Sequence, residues 1–296
     1  MNNMEFKRAT GLLIIEVVGS NPNGDPDRES EPRQRPNGRG EISPVSFKRK
    51  LRDLLEDPNT PLVKILPEKF STNHNIMSYR ILESRGRNRK AIADEMGDTK
   101  NFDQTKFMQS DFVKKYWDAR IFGNTFLEEG AAKGFIKTGV VQFGVGVSIS
   151  PIEIIRHTNT NKAGVQEGKN QGMAPLAFRI VQHGVYVMPF FVNPNYAPKS
   201  GCTSDDIELL KLLIPHAYDL NRSAIRPDVR IRHAWYIEHK NALGSCPDYL
   251  LLEALTPTRI GEVENPSNDW TDYEDKTALP QELLSKVDSV VDLMTL

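Results

Sequence analysis

The pattern of apolar and polar residues predicts a strand, a turn and a helix within residues 11–56. An almost uninterrupted apolar, largely β-branched run at residues 11–18 is typical of a buried strand. The segment Asn-Pro-Asn-Gly-Asp-Pro-Asp at residues 21–27 consists of turn-forming residues. Ser43 followed by Pro44 predicts a helix start, since serine accepts from the first free amides and proline lacks one. We expect this helix over residues 44–56.

The middle of the chain predicts an insertion and a projecting hairpin. Residues 58–110 have no clear periodicity, and we interpret them as an insertion with short helices. Residues 111–122 have apolar positions at helical spacing, and we expect their aromatic residues in the core. Near-alternation at residues 139–155 and again at 176–192 predicts two strands. The polar, Gly- and Asn-rich stretch between them predicts a long hairpin over residues 157–178, a length typical of functional or disordered loops.

The C-terminal third predicts a helix capped at Thr203 and extending to Tyr218, then strands at residues 234–239 and 249–255. An acidic segment follows at residues 257–296, with a short helix expected near residues 279–294. Helices that alternate with non-adjacent strands favour an α+β fold built on a ferredoxin-like or RNA-recognition core. We therefore interpret residues 1–296 as a single domain.

The charge is unevenly distributed along a chain whose net charge is −1. Residues 28–52 contain eight Lys/Arg and three Asp/Glu, and residues 80–90 contain five and one. Residues 262–292 reverse this balance, with nine acidic and two basic residues. Such runs are usually solvated surface, but their repetition favours a basic face and an acidic flank.

Motifs for catalysis or cofactor binding are missing from the sequence. The six histidines have no metal-binding spacing, and Cys202 and Cys246 form neither a disulfide framework nor a metal cluster. No phosphate-binding glycine loop is present, so we expect no cofactor. No apolar run approaches the roughly 18 residues that a membrane span requires, and residues 1–8 do not resemble a signal peptide. These features predict a cytoplasmic, reduced protein without a membrane partner.

Several motifs together resemble a known family. They are the loop at residues 21–27, Ser-Phe-Lys-Arg-Lys-Leu-Arg at 46–52, Asp-Ala-Arg-Ile-Phe-Gly at 118–123, Gly-Val-Val-Gln-Phe-Gly at 139–144 and Trp-Tyr-Ile-Glu-His at 235–239. In this order they resemble CRISPR-associated backbone proteins of the Cas-seven family, in its type I-C (Csd) branch. The resemblance covers roughly residues 8–256 and leaves the acidic C-terminal segment without a counterpart.

The resemblance implies a non-catalytic building block of the Cascade surveillance complex. Copies would assemble head-to-tail along a CRISPR RNA (crRNA), grip its sugar-phosphate backbone and leave its bases free to pair with target DNA. The fold would be a modified RNA-recognition palm with a finger, matching the insertion, and a hairpin thumb. Other partners would be the subunit that processes the crRNA and holds its 5′ handle, and the large and small Cascade subunits.

Candidate RNA-binding residues follow from this implied function. A subunit that carries any guide should contact phosphate and ribose, not base edges. Lys48 and Arg52 are four residues apart and share a helix face, so we expect them to contact phosphates. The other candidates are Arg49 on the same helix, Asn21 and Asn23 in the loop, Gln142 on the palm strand, Met173 as an apolar wedge near the end of the thumb, and Arg222 and Arg226, with Arg230 and Arg232 near them.

The acidic residues of the turn leave an alternative open. Asp25 and Asp27 are two residues apart and would suit Mg²⁺, as in related type III backbone subunits that cleave target RNA. Equally, aspartates in a turn bond their own backbone. The second alternative is an RNA-binding protein outside any CRISPR system.

Overall fold

The protein has a mixed α/β fold around one antiparallel sheet. The computed structural model describes residues 6–69, 79–97, 103–108, 110–123, 138–161 and 174–295. The helices are α1 (Pro44–Leu55), α2 (Pro61–Lys69), α3 (Arg89–Met96), α4 (Gln104–Met108), α5 (Asp111–Lys115), α6 (Trp117–Phe122), α7 (Ala197–Ser200), α8 (Ser204–Leu213), α9 (Asp248–Leu255) and α10 (Gln281–Leu284). The strands are β1 (Ala9–Ser20), β2 (Gly24–Asp25), β3 (Glu31–Pro32), β4 (Arg39–Ile42), β5 (Val141–Phe143), β6 (Gly146–Pro151), β7 (Ile154–Asn161), β8 (Ala174–Val192), β9 (Val229–Glu238), β10 (Thr258–Arg259), β11 (Tyr273–Glu274) and β12 (Ser289–Asp292).

The 19-residue strand β8 organises the main sheet. On one side it pairs with β1, from Ala9 opposite Val192 to Ser20 opposite Val181. On its other side it pairs in turn with β7, β6 and β5. Among the described strands the sheet follows the order β12-β9-β1-β8-β6-β4. The arms of the predicted hairpin correspond to β7 and the start of β8, which pair antiparallel. The tip, at residues 162–173, lies outside the described residues.

The first strand is mostly apolar because both faces of the sheet are covered. On one face, Leu13, Ile15 and Val17 of β1 pack in a core with buried side chains of α1, α6 and α8. On the other face, Leu12 and Ile14 pack with α9 and the C-terminal segment. A strand buried on both sides loses the apolar–polar alternation of a half-exposed strand.

Helices α1 and α8 begin where the sequence predicts them. The hydroxyl of Ser43 accepts from the amide of Ser46 with Pro44 at the first position, and α1 ends within one residue of the prediction. Thr203 and Asp206 form a capping box at the start of α8. The aromatic residues Phe112, Tyr116 and Trp117 are buried as predicted, although the helix breaks into α5 and α6 at Tyr116, whose backbone is extended.

Two predictions in the C-terminal third are wrong. Residues 249–255, predicted as a strand, belong to helix α9, which buries Leu251 and Leu255 against the sheet. The helix expected over residues 279–294 is limited to the four residues of α10, and the chain then adds β12 to the sheet beside β9. The acidic segment therefore covers one face of the sheet and adds the strand β12 beside β9. Within the described ranges no helix combines the length and apolar character needed to cross a bilayer.

A buried ion pair fixes α8 against α6. The guanidinium of Arg120 contacts both carboxylate oxygens of Asp206, at 2.9 Å from Nε and 2.7 Å from Nη2, and both side chains are at most 5% exposed. We predict that Asp206→Asn lowers the free energy of unfolding by about 3–5 kcal/mol, because it leaves a buried cation without its counter-charge.

Urea denaturation measures this change. Glu208→Gln on the same helix is the matched control, since its pair with Lys211 is at the surface and a loss below about 1 kcal/mol is expected. Equal destabilisation by the two variants would contradict the importance of the buried pair.

His233 links the C-terminal segment to β9. Its Nδ1 lies 2.6 Å from Asp292 and its Nε2 lies 3.0 Å from Asp275. The hydrogen bond to Asp292, followed by that to Asp275, raises the pKa of His233 above its usual value, although burial opposes this. A raised folded-state pKa adds stability below about pH 6.5, which is lost as the pH rises through the folded value.

We predict that the thermal midpoint of the wild type exceeds that of His233→Gln most at pH 6, and that the difference shrinks toward pH 9. Thermal unfolding across this range measures it. His216→Gln, at an exposed histidine, is the matched control. A difference that stays constant with pH would contradict an ionic role for His233.

Candidate functional site

The turn at residues 21–27 is held by its own asparagines. The side chain of Asn21 is 3% exposed, and its amide donates to the carbonyl of Ser30 at 2.7 Å. Asn23 is 8% exposed and accepts from the backbone amide of Ser43 at 2.7 Å, which ties the turn to the start of α1. Their predicted contact with RNA stays a prediction. Their hydrogen bonds position the loop and the helix.

The turn-forming alternative for Asp25 accounts for its contacts. Its carboxylate accepts from the backbone amide of Asp27 at 3.2 Å and caps a short 3-10 helix, Pro26–Arg28. Arg33 lies 3.9 Å from the same oxygen. Among the described residues, no group of three or more His, Cys, Asp or Glu is arranged to hold a metal ion.

Lys48 and Arg52 share a helix face, as predicted, but that face turns toward the protein. Both cations lie over the ring of Phe122, at 5.2 and 5.3 Å from its centre. Arg52 is 5% exposed and pairs with Asp118 and Glu83, each at 3.0 Å. The guanidinium of Arg52 neutralises the fully buried carboxylate of Asp118, and the predicted contact of Arg52 with phosphate stays a prediction.

Lys48 differs from Arg52 in having no ion pair within the described part of the chain. Its side chain is half-buried, and burial, followed by the nearby charge of Arg52, lowers the pKa of Lys48, with Glu83 opposing. A half-exposed ammonium without a carboxylate is suited to meet an anion from outside.

Arg49 belongs to a network of its own. It donates to Asp53 at 2.7 Å, to the carbonyl of Glu83 at 2.6 Å, and to Glu56. These bonds hold α1 against the segment that follows residue 79. Arg49 therefore has its hydrogen-bonding groups occupied by the protein.

The opposite side of α1 carries Lys50, which was not among the predicted contacts. The amide of Asn221 donates to the carbonyl of Lys50 at 3.0 Å, and Arg226 donates to the carbonyl of Asn21 at 3.0 Å. These bonds bring together the turn, α1 and the segment at residues 219–228. Lys50 lies in the basic run of the sequence. Helical spacing does not select it, because it does not share a helix face with Lys48 or Arg52.

The pKa of Lys50 reflects these surroundings. Burial, followed by the positive charge of Arg226, lowers it to about 8, and Asp53 acts in the opposite direction. Within the described residues, the ammonium of Lys50 has no hydrogen bond or ion pair. Lys50 and Arg226 are thus two half-buried cations near the turn that follows β1, and neither has an ion pair among the described residues.

The remaining predicted residues are less closely connected. Gln142 is exposed on β5 and donates to the carbonyl of Gly139 at 3.2 Å. Arg222 is exposed and pairs with Asp219 at 3.0 Å. Met173 lies outside the described residues. Their contact with RNA stays a prediction.

Arg230 and Arg232 are partly committed to the interior. Both contact the carboxylate of Glu16, which is 1% exposed, at 3.4 and 2.7 Å. On its other oxygen Glu16 meets His183 at 3.3 Å. These arginines balance a buried charge on the sheet face that the C-terminal segment covers.

Comparison with known families identifies the chain. The family described as CRISPR-associated protein Cas7 matches residues 7–278, which is most of the sequence. This protein belongs to the Cas7 family. The match includes the turn, α1 and the segment at residues 219–228.

Individual relatives of this Cas7 chain are distant. The CRISPR-associated protein Cas7 of Haloferax volcanii is 25% identical over 229 residues, covering 70% of this chain and 63% of the relative. Two solved chains, titled CRISPR RNA-guided surveillance complex, pre-nicking, and CRISPR RNA-guided surveillance complex, are each 14% identical. The first has a TM-score of 0.44 and covers 79% of this chain and 77% of its own, and the second has 0.42 with 77% and 68%.

We predict that Lys48 and Arg52 differ in role. Lys48→Ala should weaken binding to unrelated RNA sequences about equally, and reduce the slope of log affinity against log salt by about 1, without lowering stability. Arg52→Ala should lower the free energy of unfolding by about 3–5 kcal/mol, because Asp118 loses its partner.

Filter binding at several salt concentrations and urea denaturation separate the two effects. Lys199→Ala, at an exposed lysine on α7, is the matched control for the loss of one surface charge. RNA affinity unchanged by Lys48→Ala would remove this side of α1 from the RNA path.

Proposed function

We propose that this Cas7-family protein is a backbone subunit of a type I CRISPR surveillance complex of the I-C branch. Copies of the chain stack head-to-tail along a crRNA in the cytoplasm. Each copy binds the sugar-phosphate backbone and leaves the bases free to pair with target DNA. The other Cascade subunits, including the one that processes the crRNA and holds its 5′ handle, bind at the ends and sides of this filament.

The observation that carries the proposal is the group of cations without acidic partners around α1. Lys48, Lys50 and Arg226 meet no carboxylate within the described residues at 4.0 Å or less, whereas Arg49 and Arg52 do. Unpaired cations bind phosphates through charge, which carries no sequence information. A subunit that accepts every guide needs contacts of this kind.

The strand order supports an RNA-recognition-like palm. The elements β1, α1, β6, β8, α8 and β9 follow the β-α-β-β-α-β sequence of ferredoxin-like folds, with β9, β1, β8 and β6 side by side. Both helices pack on one face. The face that RNA-recognition domains use for stacking bases is here covered by α9 and the C-terminal segment. We therefore propose that the RNA passes along α1 and the turn. In this proposal residues 58–110 are the finger and the hairpin at 157–178 is the thumb.

We also propose that the subunit is not catalytic. Asp25 is engaged by the amide of Asp27 and lies near Arg33, contacts that suit a turn-forming carboxylate. No observation on the described residues favours RNA cleavage. In this proposal target recognition is left to base pairing and any cutting to another component.

Co-expression with a CRISPR array and its neighbouring genes tests the proposal. We expect the protein to purify in a particle of several subunits with a high 260/280 nm absorbance ratio, because each copy covers part of one RNA. The triple variant Lys48→Ala, Lys50→Ala, Arg226→Ala should lose RNA and shift to smaller species. A nucleic-acid-free monomer of the wild type would contradict the backbone role.

The same particle tests the absence of catalysis. Incubated with complementary RNA and Mg²⁺, the wild type should leave the RNA intact. Cleavage that disappears in the Asp25→Ala, Asp27→Ala variant would show that the type III-like alternative is right.

A further inference from the structure

The cover over the second face of the sheet is incomplete. On this face, Leu12 and Ile14 are buried beneath α9 and the C-terminal segment. Beyond them, toward the edge strand β4, a cavity of about 520 Å³ lies between β6 and β8 on one side and the chain around β10 on the other. Ligand sites in proteins usually have volumes of roughly 300–1,000 Å³. The cavity is therefore large enough for a ligand or for part of a partner chain.

The apolar lining of the cavity consists of branched side chains that the cover leaves partly exposed. They are Val147, Ile149, Val187 and Val263. Val147 and Ile149 share one face of β6, because alternate residues of a strand point the same way. Val263 is 41% exposed. An occupant with an aliphatic side chain would remove this surface from water, which favours binding.

Two arginines with unused hydrogen-bonding groups line the same cavity. Within the described residues, the guanidinium of Arg39 has no hydrogen bond or ion pair. Arg259 lies over the ring of Tyr273, and its Nη1 donates to the carbonyls of Ile260 and Asp272, each at 2.9 Å, and lies 3.5 Å from the carboxylate of Asp272. Its Nε is buried, with no partner among the described atoms. Buried donors are normally paired, so these arginines are suited to an acceptor from another molecule.

The surroundings of the cavity disfavour a nucleic acid. Glu253, an exposed residue of α9, lines the cavity and has no ion pair within the described part of the chain. Residues 260–275 contain six Asp/Glu and no Lys or Arg. A chain of phosphates would be repelled by this segment, whereas a single carboxylate gains from the two arginines. The cavity also lies on the opposite face of the sheet from α1, where RNA binding is proposed.

We infer that this cavity binds a segment of a partner protein in which an aliphatic side chain lies next to a carboxylate. The aliphatic side chain packs on Val147, Ile149 and Val187, and the carboxylate accepts hydrogen bonds from Arg39 and Arg259. Glu253 selects against a second negative charge. This docking site is separate from the proposed RNA path, so the inference goes beyond the proposed function.

Fluorescence anisotropy with two labelled peptides tests this inference on the purified full-length chain. The probes are Gly-Ser-Leu-Asp-Leu-Ser-Gly and a neutral counterpart in which asparagine replaces the aspartate. We expect the acidic peptide to bind about tenfold more tightly, because a charge-assisted hydrogen bond is roughly twice as strong as a neutral one. Equal binding of the two peptides, or binding of neither, would overturn the inference.

Variants of the cavity should change this affinity in opposite directions. Arg39→Gln should weaken binding of the acidic peptide about tenfold and abolish its advantage over the neutral one. Glu253→Gln should strengthen binding about two- to fivefold, because a like charge is removed, and a variant that failed to fold would not bind more tightly.

The matched control is Arg28→Gln. Arg28 is exposed, does not line the cavity and has no ion pair within the described residues, so its loss should leave the affinity for the peptide unchanged. An equal loss of affinity in Arg28→Gln and Arg39→Gln would show that only net charge matters and would overturn the docking site.

Competition with RNA separates this inference from the proposed function. Saturating single-stranded RNA should leave the acidic peptide bound, since the two sites lie on opposite faces of the sheet. Displacement of the peptide by RNA would assign the cavity to nucleic acid and overturn the inference. Binding of the peptide by a chain that binds no RNA would support the docking site and overturn the proposed function.

Discussion

The rest of the structure depends on the pairing of β1 with β8. These two long strands run antiparallel along eleven residue pairs, and each brings apolar side chains to both faces of the sheet. One face is filled by α1, α6 and α8, and the other by α9 and the C-terminal segment. Because β1 is held on both sides, the position of the turn after Ser20 is defined. This turn then holds the start of α1 through the hydrogen bond from the amide of Ser43 to the side chain of Asn23. Any contact that α1 makes with a nucleic acid is therefore made from a rigid element.

Local signals in the sequence were sufficient to predict the elements whose ends are marked by capping or turn-forming residues. The serine cap of α1, the capping box at Thr203 and the arms of the long hairpin could all be predicted. The helix at residues 248–255 could not, since a short, uniformly apolar run satisfies both a buried strand and a buried helix. The position of the C-terminal segment could not be predicted either, because β12 pairs with a strand about fifty residues earlier.

The candidate site shows the same division between local and distant information. Helical spacing correctly placed Lys48 and Arg52 on one face, but it does not say which way that face turns. The answer depends on Asp118, which lies 66 residues further along the chain and is fully buried. The pKa of Lys50 depends equally on a distant residue, since it is lowered by the charge of Arg226, which follows β8 in the chain. Which cations are free can be known only after the fold has paired the others.

This selection would let a chain of net charge −1 bind the polyanionic partner proposed for it. Most of the arginines in the basic runs are neutralised within the fold, as Arg49, Arg52 and Arg85 are, and a few cations around α1 are not. A few phosphate contacts give one subunit only a modest, salt-sensitive affinity. Where many copies lie side by side on one RNA, each bound copy raises the effective concentration of the next, so weak contacts add up to a stable filament. In the proposed filament a strongly basic surface would be a disadvantage, because a single copy would then bind nucleic acid indiscriminately.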